Sequence, residues 1–166
     1  SATALLNIIN DILDISKIES GKFEISENEF NLNNLLEQLV QLYSVNTKQK
    51  DIRFLYTLDP NIPHFLISDE TKIKQVLSNI LSNAIKFTPQ NASVSFKVNL
   101  KKIENNIATI TFLVKDEGIG IAIDDQKKVF NPFSQADGTI SRKFGGTGLG
   151  LSISSSIIKM LGSEIK

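Results

Sequence analysis

The sequence predicts an α/β domain preceded by a further helix. Two observations carry that expectation. Helix-period apolar stripes alternate along the chain with short runs of branched and aromatic residues, and glycine clusters at 116–121 and 145–151 punctuate the second half, the later one opening onto another apolar stripe. Among 166 residues, 41% are hydrophobic and 22% charged, which suffices for the core of one domain of ordinary size. Eighteen basic residues balance eighteen acidic ones. This argues against a nucleic-acid partner or an anionic membrane, and any phosphate binding must be local. The absence of cysteine excludes disulfides and thiolate metal sites. No apolar run approaches the roughly eighteen residues that a membrane span needs, and SATALLNIIN lacks the basic start of a signal peptide. A soluble stretch, not inserted in a membrane, is expected.

Residues Ala2 to Glu19 carry Leu5, Leu6, Ile8, Ile9, Ile12, Leu13, Ile15 and Ile18, a helical stripe too wide for a single neighbour, and Gly21 closes it. Such a helix belongs either to a bundle with members outside this sequence or to the end of its own domain. Lys22 to Phe30 is short and extended. Asn31 then offers an N-cap to a helix over Leu32 to Lys50, with Leu35, Leu36, Leu39, Val40, Leu42 and Tyr43 as its apolar side. Asp51 to Leu58 reads as a strand, and Asp59 to Ser68 as a loop holding Pro60, Pro63 and the sole histidine, His64. A third helix covers Asp69 to Thr88. Ala92 to Leu100 and Ile107 to Lys115 alternate in polarity and should pair antiparallel across KKIENN. Leu149 to Leu161 is the last helix, and the closing SEIK reads as the opening of a strand. There is neither an internal repeat nor a low-complexity tract.

The third helix has two faces. At about 100° per residue, Ile73, Val76, Leu77, Ile80, Leu81 and Ala84 gather on one side, with Gln75, Asn79, Asn83 and Lys86 opposite. Asparagine is a mediocre helix former because its amide competes for backbone hydrogen bonds. Two of them four residues apart mark either a plain solvated face or a site. Asp116 closes a strand and is followed by Gly118 and Gly120, so DEGIG is either a turn or a place where a carboxylate meets a donor such as the exocyclic amine of adenine. The later glycine cluster leads into a helix whose free N–H groups and dipole favour an anion, a plausible phosphate cradle. It does not fit a Walker loop, which needs a following lysine, nor a dinucleotide fingerprint, which belongs to an early βαβ unit. A Ser/Thr/Tyr protein kinase is disfavoured too, since His64 sits in NIPHFLI and not in an HRD-type loop.

The order Asn79-Ile-Leu-Ser-Asn83-Ala-Ile-Lys-Phe-Thr, Asp116-Glu-Gly-Ile-Gly, Phe130-Asn-Pro-Phe133 and Gly146-Thr-Gly-Leu-Gly-Leu resembles the N box, first glycine box, F box and second glycine box of the ATP-binding domain of sensor histidine kinases. The resemblance runs from about Phe30 to Gly162. LLNIINDILDISKIESGK is similar to the end of the second dimerisation helix of hybrid sensor kinases. It implies a two-layer α/β sandwich of the Bergerat ATP-binding type, a mixed sheet covered by helices on one face, preceded by a bundle helix. Residues 1–21 would be the truncated dimerisation helix and 22–166 the catalytic domain without its last strands. The implied cofactors are ATP and Mg²⁺. Asn83 would ligate the metal through its amide oxygen, an oxygen donor of the kind Mg²⁺ prefers, with Asn79 beside it and Lys86 on the phosphates. Phe87 would lie against adenine, Asp116 would accept its amine, and Gly118, Gly120 and Ile121 would flank the base. Gly146, Thr147, Gly148, Leu149 and Gly150 would surround the triphosphate with backbone N–H groups. Residues 131–146 would form a lid from which Arg142 reaches the γ-phosphate, anchored by Phe130 and Phe133.

The reaction implied is transfer of the γ-phosphate to a histidine of the dimerisation helices within a homodimer, and thence to a response-regulator receiver domain, with no nucleic acid involved. ATP-driven clamps of the same fold carry a glutamate where this chain has Asn79, and an amide has no useful basicity for activating water. Two alternatives remain: an ATP-sensing or dimerising module without catalysis, and, less favoured, a clamp ATPase. The acceptor histidine of the family lies upstream of residue 1, and His64 lacks the acidic residue that follows an acceptor. The expectation is therefore Mg-ATP binding without autophosphorylation by this stretch alone. By the same resemblance it is a cytoplasmic domain of a membrane-anchored parent.

Overall fold

The computed structural model describes residues 2–134 and 147–166. These fall into two compact units, Glu27–Gly120 and the pair of segments 1–26 and 121–166.

In the unit Glu27–Gly120, strand β1 (Asn28–Asn31) runs straight into helix α2 (Leu32–Gln49), because the Asn31 side chain accepts the N–H of Asn34 at 3.1 Å and caps the helix. α2 buries Leu32, Leu35, Leu36, Leu39, Tyr43 and Thr47. Leu42, expected on that stripe, is 52% exposed, since the buried row follows 32, 36, 39 and 43 and leaves it to one side. The segment 59–68, expected as a loop, contains strand β3 (Phe65–Ser68), which pairs antiparallel with β1 and sets Phe30 opposite Leu66. Four residues after two prolines are too few for periodicity to reveal a strand whose partner lies far upstream.

Strand β2 (Arg53–Leu58) runs parallel to β4 (Ser93–Glu104), and β4 runs antiparallel to β5 (Ile107–Asp116), giving the mixed order β2-β4-β5. Alternation assigns the faces. Val94, Phe96 and Val98 are fully buried and align with Phe54, Tyr56 and Leu58 on one side and with Val114 and Phe112 on the other. Together with the apolar stripes of α2 and of α3 (Glu70–Phe87) they make one core. Burying each such large side chain contributes roughly 1.5–3 kcal/mol. The opposite sheet face leaves Leu55 and Leu113 exposed, so helices cover one face, as expected. The β4–β5 hairpin is longer than the alternation suggested. Lys101–Glu104 continue β4 past a register shift at Leu100/Lys102, and the turn is only Asn105-Asn106, both at positive φ, as a two-residue hairpin requires.

In the second unit, helix α1 (Ala2–Glu19) packs against helix α4 (Gly150–Met160), and a short 3-10 turn, Lys128–Phe130, packs on α4 as well. Gly21, at φ +68°, ends α1 as expected, with its N–H and that of Lys22 donated to the carbonyls of Ile18 and Lys17. Gly162 closes α4 in the same way, through Ser163 N–H to Ile158 O. The residues of SEIK that follow form no strand among the described residues.

Candidate functional site

α3 starts and stops for local reasons. Asp69 Oδ1 accepts the N–H of Lys72 at 3.0 Å, Glu70 lies in the first turn and Lys86 in the last, so both ends of the helix dipole are complemented. Thr88 turns extended because Pro89 follows it, and its hydroxyl donates to the Ala84 carbonyl at 2.7 Å. The predicted division of faces is present. Val76, Leu77, Leu81, Ala84 and also Ile85 are buried, while Asn79, Asn83, Lys86 and Phe87 are half-buried. Ile73 and Ile80 are only half-buried. The Tyr43 hydroxyl of α2 donates to the Ser78 carbonyl at 2.9 Å, one residue before Asn79. Tyr43 lies on the apolar stripe that the sequence predicts for α2. The signal lay in its phenol, which cannot enter a core without finding a partner.

At the end of α3 the Lys86 ammonium sits 5.0 Å from the centroid of the Phe87 ring, a cation–π distance. Partial burial, and secondarily the nearby Lys50, hold its pKa below the usual lysine value. DEGIG comes to this same end. Asp116 is the last residue of β5, and its Oδ1 accepts the N–H of Gly118 at 2.8 Å. A Cβ on Gly118 would lie 2.8 Å from the Phe87 carbonyl oxygen and 2.6 Å from Asp116 Oδ1, so only glycine lets the strand end and the helix end approach this closely. Gly120 is glycine for a different reason, φ +71° with nothing near its would-be Cβ. Two motifs thirty residues apart are thus joined, with Asn83 one helical turn and Asn79 two turns back, about 6 and 12 Å along α3.

In the other unit, Thr147 Oγ1 accepts the N–H of Leu149 at 3.2 Å and donates to Asp11 of α1, also at 3.2 Å. Gly148, at φ +70°, lies against the backbone of Phe133 and Ser134, which a Cβ would meet at 3.0–3.2 Å. Phe130 is half-buried in the 3-10 turn, whereas Phe133, expected to anchor a lid, is 69% exposed and meets Gly148 through its backbone. Leu149 precedes α4 and has no side-chain acceptor to offer the first-turn N–H groups of Gly150 and its neighbours. Ile121 is 46% exposed. Arg142 and Gly146 lie outside the described residues. Among the described residues no group of three or more His, Asp or Glu side chains could hold a metal ion. A metal bound here would rely on neutral oxygen donors such as the Asn83 amide and on oxygens brought by its ligand, a set that suits Mg²⁺.

A mixed sheet covered by helices on one face, an asparagine-bearing helix joined to a DEGIG turn, and a glycine-opened helix together define an ATP-binding domain of the two-layer α/β type. The family model described as histidine kinase-, DNA gyrase B-, and HSP90-like ATPase matches residues 68–166. The chain is similar to the hybrid signal transduction histidine kinase B of Dictyostelium discoideum, 42% identical over 100% of this chain and 8% of that protein. It is likewise similar to the signal transduction histidine-protein kinase BarA of Escherichia coli, 37% identical over 99% of this chain and 18% of the relative. It thus spans less than a fifth of the length of either. Among solved structures, full-length ShkA in complex with AMPPNP superposes with a TM-score of 0.79 at 29% identity, covering 96% of this chain and 31% of that one. The catalytic domain of histidine kinase ThkA superposes at 0.65 with 31% identity, covering 82% of this chain and 83% of that domain. The chain belongs to this ATPase family, as a histidine kinase ATP-binding catalytic domain. No described helix is long and apolar enough to cross a membrane.

Proposed function

We propose that this domain binds Mg-ATP and serves, in a hybrid sensor kinase, the transfer of the γ-phosphate to a histidine on a dimerisation helix of its own homodimer, from which a receiver domain takes it. The single observation that carries the reading is the approach of Gly118 to the Phe87 carbonyl, which joins the helix of Asn79, Asn83 and Lys86 to the carboxylate of Asp116. In this reading Asp116 accepts the adenine amine and Phe87 lies by the base. Asn83 holds Mg²⁺ through its amide oxygen, with Asn79 beside it. Bound Mg²⁺ neutralises phosphate charge. Lys86 adds a cation, and a phosphate beside it would offset both the burial and the Lys50 repulsion that depress its pKa. Thr147, Gly148, Leu149 and Gly150 bring backbone N–H groups at an uncapped helix start, a setting that favours an anion. Arg142 and Gly146 complete the phosphate contacts. Asn79, an amide, cannot activate water as the glutamate of a clamp ATPase does, which favours transfer over hydrolysis.

The partner helices are supported by α1, whose Leu5, Leu6, Ile9, Ile12 and Leu13 are 44–60% exposed. We take residues 1–21 as the end of a dimerisation helix and 22–166 as the catalytic domain, a cytoplasmic part of a membrane-anchored parent. The test has two stages. Calorimetry should detect ATP binding that requires Mg²⁺ and is lost in Asn83→Ala. A longer chain including the upstream helix should then incorporate labelled phosphate on its histidine, while residues 1–166 alone stay unlabelled. Steady phosphate release without a labelled protein would instead favour the clamp reading.

A further inference from the structure

The residue after the adenine-reading carboxylate is built into the sheet in an unusual way. In a hydrogen-bonded antiparallel pair, two residues exchange both N–H···O bonds through their backbones. One step beyond the Val94–Asp116 pair, Glu117 and Ser93 exchange them differently. The Glu117 N–H donates to the Ser93 carbonyl at 3.1 Å, but the Ser93 N–H is taken at 2.8 Å by the Glu117 side chain, Oε2. The Ser93 side chain and N–H both favour the charged form of that carboxylate. A side-chain oxygen replaces a backbone one, so the backbone can leave the ladder at Glu117 without orphaning the first N–H of β4. The departure is what lets Gly118 turn back, give its N–H to Asp116 Oδ1 at 2.8 Å and rest on the Phe87 carbonyl. Arg53 and Lys115 lie close enough to favour the carboxylate form of Glu117.

We infer that Glu117 is a positioning residue for base recognition: its carboxylate, hydrogen-bonded to Ser93, fixes the strand exit that orients Asp116. This rests on the reading of Asp116 as the acceptor of the adenine amine. A glutamate that merely decorated an exposed turn would leave the choice of base untouched.

The experiment compares ATP with purine riboside triphosphate, which lacks the 6-amino group, by calorimetry with Mg²⁺ on the whole chain, wild type, Glu117→Ala and Glu117→Gln. Wild type should prefer ATP by about tenfold to a hundredfold, the range of a hydrogen bond to a charged acceptor. Glu117→Ala should reduce that preference by at least about fivefold through misalignment of this bond, with purine riboside triphosphate bound within about twofold of wild type. Glu117→Gln keeps an oxygen for the Ser93 N–H and should recover part of the preference. Circular dichroism at the assay temperature identifies any variant that fails to fold, and Glu117→Gln then carries the comparison. A preference unchanged in both variants, or both nucleotides weakened equally, overturns the inference while leaving the Asp116 reading intact. A wild-type chain that binds both nucleotides equally overturns the Asp116 reading and the inference with it.

Discussion

Thr147 donates its hydroxyl hydrogen bond to Asp11 at 3.2 Å, across 136 residues of sequence. The same hydroxyl oxygen accepts the Leu149 N–H, so two groups proposed to meet a triphosphate are here engaged with each other and with a carboxylate of α1. A phosphate arriving at these N–H groups meets the negative charge of that carboxylate beside them. Asp11→Ala is therefore expected to tighten Mg-ATP binding several-fold, about the worth of one modest hydrogen bond and some repulsion. Asp11→Asn, which keeps an acceptor and removes the charge, should fall between. Calorimetry at two salt concentrations separates the charge part, which fades as salt rises. Weaker binding by Asp11→Ala would mean that the contact organises the loop instead of competing for it.

The two glycines of DEGIG should respond differently to a methyl group. Gly118→Ala collides with the Phe87 carbonyl and with Asp116 Oδ1, both backed by regular structure. Overpacking of this kind costs about 1–3 kcal/mol, and it should weaken ATP binding because it parts the two motifs. Gly120→Ala meets open space and bears only the left-handed backbone penalty, about 1–2 kcal/mol. Urea unfolding with ATP titration on both variants tests the ranking. Equal loss of ATP affinity in the two would count against the Phe87–Gly118 junction.

Acid should weaken the Glu27–Gly120 unit through two carboxylates. Asp59 accepts the N–H of Asn61 at 2.9 Å and of Leu100 at 3.2 Å, plus the Asn61 side-chain amide, and these hold its pKa below the usual 3.8. The hydroxyl and N–H of Ser93 hold Glu117 below 4.5. When the folded value is the lower one, the unfolded chain binds more protons, so the stabilisation is complete above the unfolded pKa and is lost as pH falls through the folded one. Asp11 has the opposite sign, since burial, partly offset by Thr147, raises its pKa above 3.8. Its charge disfavours folding above that value, and acid relieves it. Thermal midpoints between pH 7 and 3 should therefore fall less steeply in Asp59→Asn than in wild type and more steeply in Asp11→Asn. An unchanged slope in Asp59→Asn would remove that residue from the account.

Much of this arrangement was legible in the residues themselves. Asn31 and Asp69 announce helix starts by their capping side chains, and the two-faced pattern of Asp69 to Thr88 survives almost intact in α3. The division held because every third or fourth position there is strongly apolar. What was not legible has a common cause. β3 exists only because β1, forty residues upstream at Asn28↔Ser68 and thirty-six at Phe30↔Leu66, offers an edge. The Glu117–Ser93, Tyr43–Ser78 and Asp11–Thr147 bonds span distances that no local periodicity encodes. Each joins polar atoms far apart in the sequence, so no local pattern announces it.

Tyr43 yields a prediction that separates stability from binding. Its hydroxyl, whose pKa burial raises, donates to a Ser78 carbonyl inside α3 and ties α2 to the helix that carries Asn79 and Asn83. Tyr43→Phe preserves the ring and removes only the donor. The Ser78 carbonyl keeps its partner within the helix, so no buried acceptor is orphaned. The expected cost is that of one neutral hydrogen bond, about 1 kcal/mol, read as a lower urea midpoint with an unchanged slope. Because the α3 backbone is held also by its buried face of Val76, Leu77, Leu81, Ala84 and Ile85, the affinity for Mg-ATP should stay within about twofold of wild type, well below the effect of losing a direct hydrogen bond. If affinity fell with stability preserved, the hydroxyl would be setting the rotation of α3, and with it the reach of Asn79 and Asn83, instead of simply adding a tie between two helices.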